Sequence, residues 1–138
     1  MILCDTGIVI EIALADEKTA AAYRSAFTTW DETILTTWPC VTEAMHIVGK
    51  RGGGWYRQRK VSGLITGSLL SIYDIPHTKV SRLFALMEQY RDRPMDLADA
   101  SLVLVAETTG VRRILTIDSD FLVYRINNRD SFRKIDIV

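Results

Sequence analysis

At 138 residues, with 48% hydrophobic and 25% charged side chains, the chain has the size and composition of one globular domain able to bury a core of its own. Its 17 basic and 17 acidic residues cancel to a formal net charge of zero. That balance argues against a protein that grips nucleic acid by bulk charge, while leaving room for a local basic patch.

The sequence opens on a short apolar run, Met1 to Cys4, which ends in Asp5 and predicts a buried strand. Gly7 to Leu14 predicts a short apolar helix. Asp16 caps a second helix, with Glu17 in its first turn, running through Tyr23 and Phe27. Glu32 to Thr36 is a second strand. Pro39 suits the first turn of a third helix through Val41, Ala44 and Val48. Gly52-Gly53-Gly54 breaks that helix from a fourth over Trp55 to Ile65. Leu69 to Ile75 predicts a third strand, and Thr78 or Lys79 to Tyr90 an amphipathic helix. Met95 to Thr109 is a strongly apolar helix stopped by Gly110. Arg113 to Ile117 gives a fourth strand and Lys134 to Val138 a fifth.

Short apolar strands alternating with helices imply right-handed βαβ units. The expectation is a single α/β domain over residues 1–138, with a mostly parallel central sheet of four to five strands flanked by helices on both faces. There is no internal repeat. No window approaches the roughly 18 apolar residues of a membrane span. The first residues carry no basic leader. Cys4 and Cys40 stand in no metal-ligand spacing and read as small buried side chains. A soluble protein of the reducing cytoplasm is expected, with no membrane partner.

Ligands of open α/β sheets bind beyond the carboxyl ends of the strands, and acids collect there. Asp5 follows the first strand, and Asp118 and Asp120 follow the fourth. Asp99 lies in the first turn of the 95–109 helix, Asp96 at its start, and Glu43 in the first turns of the third helix. Topology allows Asp5, Glu43, Asp99 and Asp118 to converge. Clustered carboxylates repel one another and take up protons unless a cation joins them. Oxygen donors of this kind suit Mg²⁺ or Mn²⁺. The chemistry that follows is hydrolysis of a phosphodiester by water, the ion polarising the phosphoryl oxygen.

Several of these acids also have structural uses. Asp5 and Asp96 suit helix caps, and Asp118 and Asp120 suit turns. Glu43 suits a solvent-facing helix position, and Asp74, before Ile75-Pro76, the end of a strand. Asp99 is harder to place so: it interrupts LADASLVLVA, and an unpaired buried carboxylate is costly.

Four stretches, Asp5-Thr6-Gly7, Thr42-Glu43-Ala44, Asp96-Leu97-Ala98-Asp99-Ala100 and Leu115-Thr116-Ile117-Asp118-Ser119-Asp120-Phe121, together give the chain a resemblance to the PIN-domain ribonucleases, and within them to VapC-type toxins of toxin–antitoxin pairs. The resemblance spans essentially the full length. It implies that Asp5, Glu43, Asp99 and Asp118 are the catalytic acids, with Asp5, Asp99, Asp118 and Asp120 at the metal and Asp120 sharing the fourth position. Thr6 and Thr116 fall where the family often places hydroxyls, and Asp96 joins them as a supporting residue. It further implies Mg²⁺- or Mn²⁺-dependent cleavage of RNA, a homodimer, and inhibition by a cognate antitoxin. The stretch from Gly52 to Lys60 departs from the family pattern.

Arg51, Arg57, Arg59 and Lys60, with Trp55 and Tyr56, are candidate RNA contacts. The alternative for this stretch is a solvated helix face with two core aromatics. Arg91-Asp92-Arg93 and Arg112-Arg113 read as surface and loop charges. His46 lies three residues after Glu43, on the same helical face, where ordinary packing competes with a ligand role. Two other phosphotransfer classes also place an aspartate after a strand. A haloacid-dehalogenase-like phosphatase needs DxDxT, and Gly7 occupies its second acid position. A receiver domain needs an acidic pair and a late lysine that are missing. The remaining alternative is an inactive PIN-like scaffold that binds RNA or a protein.

Overall fold

Ile2–Cys4 (β1) is the middle strand of a five-stranded parallel sheet ordered β3-β2-β1-β4-β7 in a computed structural model that describes residues 1–137. On one side β1 pairs with Ile34–Thr36 (β2), Ile2 against Ile34, and β2 pairs with Ser71–Ile72 (β3). On the other, Leu3 registers with Ile114 of Arg113–Leu115 (β4), and β4 with Arg133–Lys134 (β7).

Successive strand residues point to opposite faces, and the sheet uses both. Leu3, Leu35 and Ile114 join one apolar cluster, while Ile2, Cys4, Ile34 and Leu115 join the other. The second face is covered by Thr6–Leu14 (α1), Glu17–Trp30 (α2), Trp38–Lys50 (α3) and Trp55–Thr66 (α4). The first is covered by Val80–Gln89 (α5) and Leu97–Thr109 (α6). Every residue from Ala98 to Ala106 of α6 is buried, as a run that is apolar but for Asp99 and Ser101 leads one to expect. Gly110 ends that helix in the left-handed region, its N–H donating to Ala106 O at 2.9 Å. The parallel α/β architecture expected from the sequence is therefore present. Among the described residues no helix is long and apolar enough to cross a membrane.

Several boundaries differ from expectation. The third strand is only Ser71–Ile72, because the N–H groups of Leu69 and Leu70 turn back to Leu64 O and the chain beyond Tyr73 leaves the sheet toward Pro76. A 3₁₀ turn, His77–Lys79, precedes α5. β4 stops at Leu115 because the Thr116 hydroxyl and the following backbone turn into a loop. The last strand is Arg133–Lys134; of the predicted 134–138 strand, Val138 lies outside the described residues. Arg125–Ile126 (β5) and Asp130–Ser131 (β6) form an antiparallel hairpin that the sequence does not announce. Asn127 and Asn128 turn it with φ of 53° and 60°, the paired left-handed conformation that suits asparagine. Glu107 of α6 anchors the hairpin, accepting the Asn127 N–H at 3.0 Å while it pairs with Arg82 of α5 at 2.8 Å.

The chain leaves β1 toward β2 and returns beside it as β4. That switch point opens a crevice at the carboxyl ends of the two strands.

Candidate metal centre

Asp5 leaves β1 in extended conformation and caps α1. One carboxylate oxygen accepts the Thr6 N–H at 2.8 Å, and the other accepts the Thr116 hydroxyl at 2.8 Å. The capping and site readings of Asp5 thus describe one geometry. Thr116, at the end of β4, also accepts the Asp118 N–H at 2.9 Å. A single hydroxyl, donor to one acid and acceptor from the next, locks the two strand ends together.

Asp118 caps the 3₁₀ turn Ser119–Leu122 by accepting the Asp120 N–H at 2.9 Å. Asp99 arrives from the first turn of α6, which Asp96 caps by accepting the Asp99 N–H at 2.8 Å. Asp99 is buried, and its carboxylate accepts the Tyr124 hydroxyl at 2.7 Å. Oxygens of Asp5, Asp99 and Asp118 all lie within 4.8 Å of one another. These three line a cavity of about 480 Å³ with Thr6, Glu43 and Asp96.

The electrostatics follow from burial without compensation. Among the described residues no lysine or arginine pairs with Asp5, Glu43, Asp96, Asp99 or Asp118. Burial pushes the Asp99 carboxyl up to about 8; the Tyr124 hydrogen bond opposes the rise, and the charges of Asp96, Asp5 and Asp118 add to it. Burial likewise lifts Asp5 to about 6, against the hydrogen bonds from Thr116 and Thr6. Glu43, half-buried on α3, is raised by burial first and then by Asp96, Asp5 and Asp118. The Thr6 hydroxyl is buried beside these acids without a hydrogen-bond partner. Three crowded carboxylates, a spare hydroxyl and no counter-charge make a donor set that fits a hard divalent cation.

The structure therefore gathers Asp5, Thr6, Glu43, Asp96, Asp99, Thr116 and Asp118. It does not bring Asp120 into the group. That carboxylate pairs with Arg93 at 2.9 Å, so the fourth-strand acid among the clustered oxygens is Asp118. The same pair shows Arg93 to be more than a loop charge. Tyr124 touches the cluster through Asp99 and is not singled out by the sequence; nothing local marks a tyrosine twenty-five positions from its partner.

The cavity opens in two directions. Toward the carboxyl end of α1 it continues past Gly7, Ile10 and Ile117 to Arg51. Toward the start of α3 it continues past Glu43 and Asp96 to Trp38 and Leu97. Arg59 and Lys60 are exposed on α4 and Arg57 is half-buried. Trp55 and Tyr56 leave 64% and 62% of their surface open, so neither is a core aromatic. Arg59 lies 4.8 Å from the centre of the Tyr56 ring.

The same fold is found among known proteins. The fold is similar to that of VapC20 of Mycobacterium tuberculosis, a toxin that cleaves the sarcin-ricin loop. The TM-score is 0.72 at 12% sequence identity, over 87% of this chain and 92% of the toxin's. At that identity the likeness speaks for the fold alone. No curated protein matches the chain by sequence. The model of the PIN domain family, a family of nucleases, matches residues 2–127. With that match across nearly its whole length, the chain belongs to the PIN domain family.

Proposed function

We propose that this chain is a metal-dependent endoribonuclease that hydrolyses RNA phosphodiesters, and that it serves as the toxin of a type II toxin–antitoxin pair. The observation that carries the reading is the convergence of Asp5, Asp99 and Asp118 within 4.8 Å with no basic partner. These three would hold Mg²⁺ or Mn²⁺. Such an ion, when bound, polarises a phosphoryl oxygen and makes water more acidic.

The remaining work falls to the chain. Tyr124 holds one Asp99 oxygen in place, and Thr116 holds Asp5 and the Asp118 backbone. Glu43 is half-buried, uncompensated and raised above an ordinary carboxyl, which equips one of its oxygens to take a proton from the attacking water. Thr6 and Asp96 support it from the cavity wall. Arg51, which lines a depression adjoining the cavity, and Arg57, Arg59 and Lys60 on α4 are the basic groups proposed to bind phosphates of the RNA. A cognate antitoxin and a second copy of the chain complete the proposed assembly; both rest on the kinship with VapC-type toxins.

The test is cleavage of a mixed panel of structured and single-stranded RNAs with Mn²⁺, with EDTA, and by Asp99→Asn beside wild type. Metal-dependent cleavage that the substitution abolishes is the expected result. Absence of both cleavage and measurable Mn²⁺ binding would leave an inert scaffold that binds RNA or protein.

A further inference from the structure

Trp38, the first residue of α3, leaves 53% of its surface in contact with solvent, although tryptophan is on average a well-buried residue. The ring is nonetheless tethered. Its indole N–H donates to the Asp74 carboxylate at 3.2 Å, so an acid in the loop after β3 restrains the ring's orientation. Trp38 lines a depression of about 590 Å³ together with Pro39, with Thr42 and His46 further along α3, and with Leu97 contributed by α6. Leu97 is itself 41% exposed. Glu43 and Asp96 belong both to this depression and to the acidic cavity, so the two adjoin.

We propose that this slot receives an unpaired RNA base adjoining the cleaved phosphate, with Trp38 as its stacking platform. The inference rests on the ribonuclease reading above and adds a specificity-determining residue to it. Charge selects the occupant. Glu43 and Asp96 at the junction disfavour a further phosphate in the slot, away from the three acids that would share a cation, whereas a nucleobase is flat, uncharged and matched to an indole face. Position agrees: Glu43 lies on α3 after Trp38 and lines both the slot and the acidic cavity, so the two adjoin. A strand held at the acidic cavity therefore presents a neighbouring base to the slot. Thr42 and His46 offer polar groups to the edge of that base. The tether to Asp74 removes ring freedom before binding, which lowers the ordering cost when the base arrives.

The experiment measures binding rather than turnover. Single-stranded homopolymer RNAs of about ten nucleotides are titrated with Ca²⁺ present to offset the acids, against wild type, Trp38→Phe, Trp38→Ala and Asp74→Ala, each intact and with one abasic position moved along the strand. Trp38→Ala should weaken binding roughly five- to a hundredfold, and Trp38→Phe far less. Asp74→Ala, which keeps the ring but frees it, should weaken binding only a few-fold. One abasic position should cost wild type as much as the alanine variant loses, with no added loss when the two are combined.

Mn²⁺ binding to each variant, followed by calorimetry, reports on the acidic centre separately and confirms that each variant folds. Trp38→Ala that binds Mn²⁺ and every RNA as wild type does would overturn the proposal. So would wild type that binds Mn²⁺ but none of the RNAs. Loss of a protein partner in Trp38→Ala with RNA affinity unchanged would reassign the slot to that partner. Failure of wild type to bind Mn²⁺ counts against the nuclease reading, while a base-dependent effect of Trp38 would still stand.

Discussion

Asp99 and Asp5 hold their protons to higher pH in the fold than in an unfolded chain. Their ordinary value is 3.8, and burial lifts them in the fold to about 8 and about 6. Because the folded state binds these protons more tightly, their contribution favours folding most fully below the unfolded value and is lost as pH rises through about 6 and then about 8. The metal-free protein should therefore melt at a lower temperature near pH 9 than near pH 5, and Asp99→Asn should flatten most of that slope. Calorimetric melts across the range would show it; a metal-free wild type that gains stability toward alkaline pH would contradict it. Tyr124→Phe removes the one hydrogen bond that favours the charged form of Asp99. The carboxyl should rise further, moving the pH midpoint of Mn²⁺ binding upward, at a stability cost of about 1 kcal/mol. Asp99 is legible in the sequence because a carboxylate that interrupts an otherwise mostly apolar helix has few structural uses. Tyr124 is not, since its partner is near only after β4 and α6 have packed. Asp120 sits two residues from Asp118 of the cluster and matches the family motif, yet only the fold reveals that Arg93 claims it.

Elements are legible where a local signal is strong. Asp5, Asp16, Thr37 and Asp96 all cap helices, three of them at starts that the sequence suggests. The hairpin at 125–131 escapes because its strands are two residues long and too short to show alternation; the Asn127-Asn128 pair is the available clue. The link between α3 and α4 carries the strongest backbone requirement. Gly52, Gly53 and Gly54 all have positive φ, and Gly54 combines φ 47° with ψ −120° before the first turn of α4. A Cβ at Gly54 would meet no atom within 4 Å, so the penalty of a side chain there is conformational and not steric crowding. Gly54→Ala should cost roughly 1–3 kcal/mol in denaturant unfolding. It should also loosen the Arg57–Lys60 segment that α4 presents. An alanine variant as stable as wild type would show that the turn relaxes freely.

On the scale of the molecule, the strand order places a single switch point between β1 and β4, and the acids occupy it. That placement follows from alternating elements and the general behaviour of open sheets, which is why the location of the site is readable while its full membership is not. Zero net charge limits how strongly such a protein can hold RNA by charge alone. If Arg51, Arg57, Arg59 and Lys60 each neutralise one phosphate of a single strand, log affinity should fall with log salt at a slope of about −3. Anisotropy titrations at several salt concentrations measure it; a slope near zero would remove this patch from the interface.

The outer strands of the sheet have a further consequence. β3 and β7 span two residues each, and β7 is Arg133–Lys134, both exposed. A border so short and so cationic gives an incoming strand little backbone to pair with and a charge to overcome. Concentrated solutions of the native protein should therefore resist edge-to-edge aggregation, and lengthening either border with apolar residues should be the quickest way to make it fibrillise.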